Sequence, residues 1–406
     1  MINGRVIVCL ASAWDYDPTS KHQIMKRLSA HNDIVWVNYH GTRVPRPTRA
    51  DVRTAWGRVR RVMRGVEPVS RNMVQVTPPV IPGVPTGPLR HVHKRMLVTW
   101  IRRAIRSLPD ACGKPLQVWT FAPDVPFLIG ELDEECFIYY CVDEHSEFEG
   151  YSRKRIMRCE RQLLSHADLV VTSSQALCHA KRAVRPDAAL MRHGVDFTHF
   201  ASAWRSAPPV PDDIAAVPHP VFGFFGLIHH WIDCALIAEV ARQRPHYHFV
   251  LIGDSMVDVT ALRALPNVRL LGRRPYEQLP AYCACFDVAL MPFAQTAMTR
   301  HINPVKMQEY LAAGLPVVST PLPEAERFAG AISIAPTPEA FAIACDAALD
   351  KARTGDRRDV ARTVKHNAWD ATVDRLSELV MAAIPSTRRA ADTVTPNAAR
   401  PLCAAV

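Results

Sequence analysis

Twice along this chain, short apolar runs alternate with segments of helical spacing, and that double alternation limits the fold more than any single motif. In the first series the strand-like runs are 5–10, 34–38, 74–77, 116–120, 137–142 and 169–172, with helical patterns over 20–30, 89–107 and 151–165. The second series has runs at 221–225, 248–252, 268–271, 288–291, 316–319 and 332–334. Its helical patterns fall at 233–243, 256–264, 276–283, 304–313 and 339–349, with one more stretch over 357–383. Strand–helix–strand repetition is the pattern of parallel sheets covered on both faces. The Pro- and Ala-rich stretch 201–220 separates the series and reads as a linker. The fold class expected is therefore α/β, with two Rossmann-like doubly wound domains facing a central cleft. They would span 1–200 and 221–356, with a helix over 357–384 packing back across them and a disordered tail over 385–406. In such sheets ligands bind outside the carboxyl ends of the strands. One loop region, 41–87, rich in Pro and Arg, interrupts the first alternation and reads either as an acceptor-side excursion or as a partly mobile surface loop.

With 406 residues, 48% hydrophobic and 22% charged, the chain is long enough for two cores and globular in composition. No run approaches the roughly 18–20 apolar residues of a membrane span, and the first ten residues read as a strand rather than a secretory signal. A cytoplasmic protein is expected, held at the inner face of the plasma membrane if at a membrane at all. The eleven cysteines are scattered and form no C-x-x-C, which argues against a disulfide framework or a zinc ribbon. The net charge of +10 is concentrated: 41–110 holds fifteen Arg or Lys against three acids. So local a basic field implies an anionic partner such as a membrane surface or a phosphorylated lipid. No nucleic-acid recognition motif accompanies it.

The most informative run is Ile302-Asn303-Pro304-Val305-Lys306-Met307-Gln308-Glu309-Tyr310-Leu311-Ala312-Ala313-Gly314-Leu315-Pro316. Pro304 suits a first helical turn and Gly314 a helix end. A helix starting at a ligand cleft offers free N–H groups and a partial positive charge, which suit a diphosphate. Lys306 and Glu309 fall on one face, so Lys306 can meet phosphate while Glu309 accepts from ribose hydroxyls. On spacing alone a solvated Lys–Glu pair on a helix surface is the favoured reading.

That run resembles the donor-binding segment of GT-B glycosyltransferases that act on bacterial polysaccharide and lipid-linked acceptors. Further stretches are similar to the same family: 268–272, 276–280 and 286–293, then Ala167-Asp168-Leu169-Val170-Val171-Thr172-Ser173-Ser174, and His193-Gly194-Val195-Asp196 with Phe200. The resemblance implies a metal-independent hexosyltransferase with no cofactor. Its substrates would be a UDP- or GDP-sugar donor and a glycan or polyprenyl-diphosphate-linked acceptor. It places Asn303, Lys306 and Glu309 in the donor site, with Glu309 at the donor ribose; Gly226, His229, His230 and Arg300 are donor contacts expected from the departures described next, which shift phosphate neutralisation onto them and Lys306. Two features depart from the family pattern. The first glutamate of the E-x7-E form is His301 here, and the Gly-Arg…Lys phosphate clamp is replaced by Gly226-Leu227-Ile228-His229-His230. Both departures favour inversion over retention.

In the first domain, Asp143, Glu144 and His145 follow a strand-like run. An inverting transfer needs a carboxylate to take the acceptor proton, and this segment is similar to that of inverting GT-B enzymes such as the glucuronosyltransferase of xanthan assembly. Asp143, with Glu144 as second choice, is the expected base; helix capping is the alternative use of Asp143. The loop after the first strand contributes Trp14, Asp15, Lys21 and His22 as cleft or acceptor contacts, and His193 joins them at the crossover. The basic stretch 89–107 reads either as an amphipathic helix lying on an anionic membrane, with Trp100 at the interface, or as a packed helix with a solvated face. Two rival functions remain at this stage: a nucleotide-sugar epimerase of the same architecture and a catalytically silent, membrane-docked scaffold.

Overall fold

The structure, a computed structural model, describes residues 1–39, 49–80 and 88–385, with 49–55 described by their backbone alone. The chain forms two compact units, one of Met1–Arg192 with the chain from Val373 onward, the other of His193–Thr372.

The first unit runs β1 (Val6–Ala11), α1 (Ser20–Leu28), β2 (Asp33–Asn38), α2 (Arg49–Arg64), β3 (Val66–Ser70), β4 (Met73–Val76), α3 (Pro88–Arg106) and β5 (Leu116–Thr120). It continues through β6 (Cys136–Cys141), α4 (Arg153–His166), β7 (Leu169–Thr172), α5 (Gln175–Arg182) and β8 (Ala189–Leu190). The sheet order is β3-β4-β2-β1-β5-β6-β7-β8, parallel except for the antiparallel β3–β4 pair. Every residue of β1, β2 and β6 is buried, because both faces of a parallel sheet are covered and alternation gives way to continuous apolar runs. Strand order reverses between β1 and β5, so the loops after β1, β5 and β6 crowd around a topological switch point.

The expected loop over 41–87 is in part regular structure. It holds α2 and the β3–β4 hairpin, while 40–48 and 81–87 lie outside the described residues. Arg and Pro content masked a helical spacing of Trp56, Val59 and Met63. Helix α3 buries His93, Leu97, Ile101, Ala104 and Ile105, its Lys94 bonds Glu131 at 2.6 Å, and Trp100 packs half-buried against the core. It is the packed helix of the two alternatives.

The second unit runs α6 (Phe197–Arg205), α7 (Asp212–Ala215), β9 (Val221–Phe225), α8 (Cys234–Gln243), β10 (His248–Ile252), α9 (Thr260–Arg263), β11 (Val268–Gly272) and α10 (Leu279–Ala284). Then come β12 (Val288–Met291), α11 (Val305–Ala312), β13 (Val317–Ser319), β14 (Ile332–Ile334), α12 (Pro338–Thr354), α13 (Arg357–Arg362) and α14 (Trp369–Ala383), which begins here and continues in the first unit. Its six strands are all parallel, in the order β11-β10-β9-β12-β13-β14, with the switch point between β9 and β12.

The stretch expected as a linker, 201–220, is instead built into this unit: Ala203, Ile214 and Val217 join its core. The Asp196 side chain caps α6 by accepting from His199 N–H, and the unit begins at His193. Proline content at 208–220 suggested a spacer, yet Ile214 and Val217 between the prolines bury themselves. The helical stretch expected over 357–384 is two helices, α13 and α14, broken by a 3-10 turn at Lys365–Asn367. The expected disordered tail lies outside the described residues from 386 on.

Candidate functional site

The charged groups of the second unit gather at its switch point. Strand β9 ends at Phe224 and Phe225, and Gly226 turns the chain with φ 129°, a conformation L side chains rarely adopt. A Cβ at Gly226 would collide with the Lys306 ammonium, so the missing side chain is the space that ammonium occupies. Lys306 Nζ lies 4.4 Å from the Phe224 ring centroid and 5.5 Å from that of Phe293, which follows β12. Helix α11 is fixed there by Tyr310, whose hydroxyl accepts from Phe225 N–H at 2.8 Å. It ends at Gly314, φ 72°, as the sequence predicts.

Burial pulls Lys306 down to about 8 against the attraction of Glu309. Burial likewise pushes Glu309 up to about 8, against Lys306 and the Tyr276 hydroxyl. Among the described residues no carboxylate stands within ion-pair distance of Lys306. A desolvated ammonium facing aromatic rings gains some cation–π attraction, but far less than an anion would supply. Tyr276 donates to Glu309 Oε1 at 3.5 Å. Its ring stacks on His199 at 4.8 Å, and His199 Nε2–H donates to the Tyr276 carbonyl at 3.1 Å. Tyr276 stood in a recognised motif, but nothing in the spacing connected it, or His199, with Glu309.

The other expected donor contacts fall at differing distances from this centre. His229 stacks on Trp231 at 4.2 Å, and its Nδ1 accepts from His230 N–H; both follow Gly226 in the same loop, with His230 exposed. Asn303 is buried, and its carbonyl accepts from His193 Nδ1–H at 2.9 Å. His193 in turn offers its carbonyl to the Gln308 amide at 2.6 Å, so His193 braces the start of α11. Arg300 is exposed just before it.

In the first unit, Lys21 lies 5.7 Å from the Phe121 ring centroid, between the loops after β1 and β5. Burial lowers its pKa, opposed by the charges of Asp143 and Cys9. Asp143 is half-buried just past β6, so the switch point brings a lysine and a carboxylate together. Its neighbour Glu144 is engaged differently: Lys181 donates to Oε2 and the Ser146 hydroxyl to Oε1, each at 2.7 Å. Lys181 also donates to Glu160 at 2.9 Å, and Glu160 accepts from the Tyr139 hydroxyl at 2.7 Å. Burial pulls Lys181 down, but Cys141, Glu160 and Glu144 outweigh it and hold the ammonium well above the usual lysine range. Glu144 thus serves a buried ion triad, and Asp143 is the carboxylate left to face Lys21.

His22 is pushed down to about 4, chiefly by burial. Its Nδ1 accepts from Thr19 N–H and its Nε2–H donates to the Trp14 carbonyl, each at 3.1 Å. Both nitrogens being taken, His22 braces the loop that presents Trp14, which is half-buried edge-on to Trp36 at 4.9 Å. Asp15 is exposed and pairs with Arg61 of α2 at 3.8 Å. Among the described residues no three His, Cys, Asp or Glu side chains gather as metal ligands would.

Two doubly wound parallel sheets, each with charged residues at its switch point, make this a protein of the GT-B class. Residues 219–351, which lie within the second unit, match the family model described as Glycosyl transferases group 1. Over 283 residues the chain is 28% identical to TuaH of Bacillus subtilis (strain 168), assigned as a teichuronic acid biosynthesis glycosyltransferase, covering 64% of this chain and 70% of that one. Among solved structures, Anabaena HepE in complex with UDP and glucose aligns with a TM-score of 0.64 at 13% identity, over 93% of this chain and 100% of that one. Sucrose-phosphate synthase from Thermosynechococcus elongatus aligns with a TM-score of 0.61 at 15% identity, over 93% and 98%. At such identities the structures speak for the fold alone, and the transferase class rests on the family model and TuaH.

Proposed function

We propose that the chain transfers a hexose or uronic acid from a UDP- or GDP-sugar to a glycan or a polyprenyl-diphosphate-linked acceptor, with inversion at the anomeric carbon. The observation that carries this reading is the desolvated Lys306 ammonium, held against Phe224 and Phe293 in the space Gly226 vacates, with no carboxylate among the described residues within ion-pair distance of it. A donor diphosphate supplies the missing counter-charge, assisted by the free N–H groups at the start of α11. Glu309, one turn on, accepts from the ribose hydroxyls, with Tyr276 steadying it. HepE is solved with UDP-glucose, which makes a UDP-sugar the first donor to try.

In the transfer, the acceptor oxygen attacks the anomeric carbon as Asp143 takes its proton, and the bond from that carbon to the diphosphate oxygen breaks. Lys306 stabilises the charge that collects on the departing nucleoside diphosphate. The test is calorimetric titration with UDP, GDP, ADP and their sugars, on wild type and on Glu309→Ala. Selective binding of one nucleotide, lost in the variant, supports the reading. A folded protein that binds none of them overturns it in favour of a silent scaffold, and sugar interconversion without acceptor would point to an epimerase.

A further inference from the structure

The basic segment has one face that nothing in the described structure covers. On α2, Trp56, Val59 and Met63 are 66%, 49% and 80% exposed, and their spacing of three and four residues aligns them in one stripe. Arg60 and Arg64 flank the stripe and are exposed, while Arg64 also reaches Glu67 at 3.5 Å. The opposite side of the helix holds Arg61, which pairs with Asp15 at 3.8 Å and lies 5.8 Å from the Tyr16 ring centroid. So α2 leans through Arg61 on the loop that presents Trp14, and its apolar stripe points away from that loop.

We propose that this stripe seats in an anionic phospholipid surface, with Trp56 and Met63 entering the headgroup–acyl boundary and the flanking arginines meeting lipid phosphates. Charge decides the occupant. The segment 41–110 carries fifteen basic residues against three acids, a field that favours an anionic surface over an ordinary protein face. An exposed tryptophan between arginines is the composition of a helix lying in a membrane interface. Among the described residues no helix is long and apolar enough to cross a bilayer, and the attachment proposed is to the surface of the bilayer. Docked this way, α2 holds the Asp15–Tyr16 loop at the surface where a lipid-linked acceptor would reside.

Co-sedimentation of the full chain with vesicles of phosphatidylcholine alone, and of phosphatidylcholine with phosphatidylglycerol, tests this. Binding is expected to the anionic vesicles only, released by salt. It should weaken about tenfold or more in Trp56→Ser/Met63→Ser and about fivefold for each of Arg60→Glu and Arg64→Glu. Melting temperature and UDP affinity, read on the same samples, are expected to stay unchanged, so failure here is distinguishable from failure of the donor site. Equal binding to neutral vesicles, no binding, or unaltered binding by the variants overturns the proposal. So does a wild-type dimer in light scattering that the Trp56→Ser/Met63→Ser change dissolves, which would make a second copy the occupant.

Discussion

Lys181 in the first unit and Lys306 in the second are both lysines drawn out of water near the carboxyl edge of a parallel sheet, and their electrostatics are opposite. Lys181 has carboxylates at 2.7 and 2.9 Å and is held above the usual lysine range. Lys306 has aromatic rings and a glycine beside it and falls to about 8. A buried cation that is already neutralised is part of the scaffold, whereas one left without a counter-charge has its interaction in reserve for a ligand. The first arrangement fixes the backbone that carries Asp143; the second is the one the proposed donor diphosphate would complete.

The strongest test of that division is Asp143→Asn. Transfer is expected to fall by roughly 10²–10⁴ while UDP affinity in calorimetry stays at the wild-type value; a matching loss of UDP affinity would move Asp143 into the donor site. Next comes Lys181→Met, which strands two buried carboxylates and should lower unfolding free energy by about 3–5 kcal/mol in denaturant titration. Lys306→Met should do the reverse, leaving stability level or raised while UDP binding weakens by about 10–100-fold, the worth of a charge-assisted phosphate contact. If Lys306→Met destabilised the fold as much as Lys181→Met, the contrast between the two lysines would collapse. Gly226→Ala, forcing a Cβ into the ammonium at a positive φ, should cost about 1–3 kcal/mol and reduce UDP affinity with it.

The smallest effect concerns protons. Lys306 and Glu309 titrate together near pH 8 in the free site. A bound diphosphate is anionic and raises both values, so the complex holds more protons than the free protein. UDP binding should therefore take up a fraction of a proton near pH 8 and weaken as pH rises through that range. Calorimetry in buffers of different ionisation enthalpy reads the uptake. Release instead of uptake would contradict the assignment, and Lys306→Met should reduce it.

Much of this site was legible in the residues. Lys306 and Glu309 sit three apart between Pro304 and Gly314, and a helix puts them on one face whatever surrounds it. Asp143 follows a run of six buried residues, so a doubly wound sheet had to place it at the carboxyl edge. Less legible was α2, because arginine and proline content resembled a loop, and α6, because the prolines at 208–220 resembled a spacer. Glu144 beside Asp143 read as a second candidate base, and only the fold revealed its engagement with Lys181.

The sequence by itself therefore determined the two alternating series, the helix carrying Lys306 and Glu309, and the strand end carrying Asp143, since each follows from periodicity or spacing within about twenty residues. Tertiary structure alone decided which charges are neutralised. Lys181 meets Glu144 and Glu160 across 37 and 21 residues of chain, and Lys306 meets Phe224 across a turn of another strand. Desolvation and pairing depend on the density of groups around a charge in space, and separation along the chain carries no record of that.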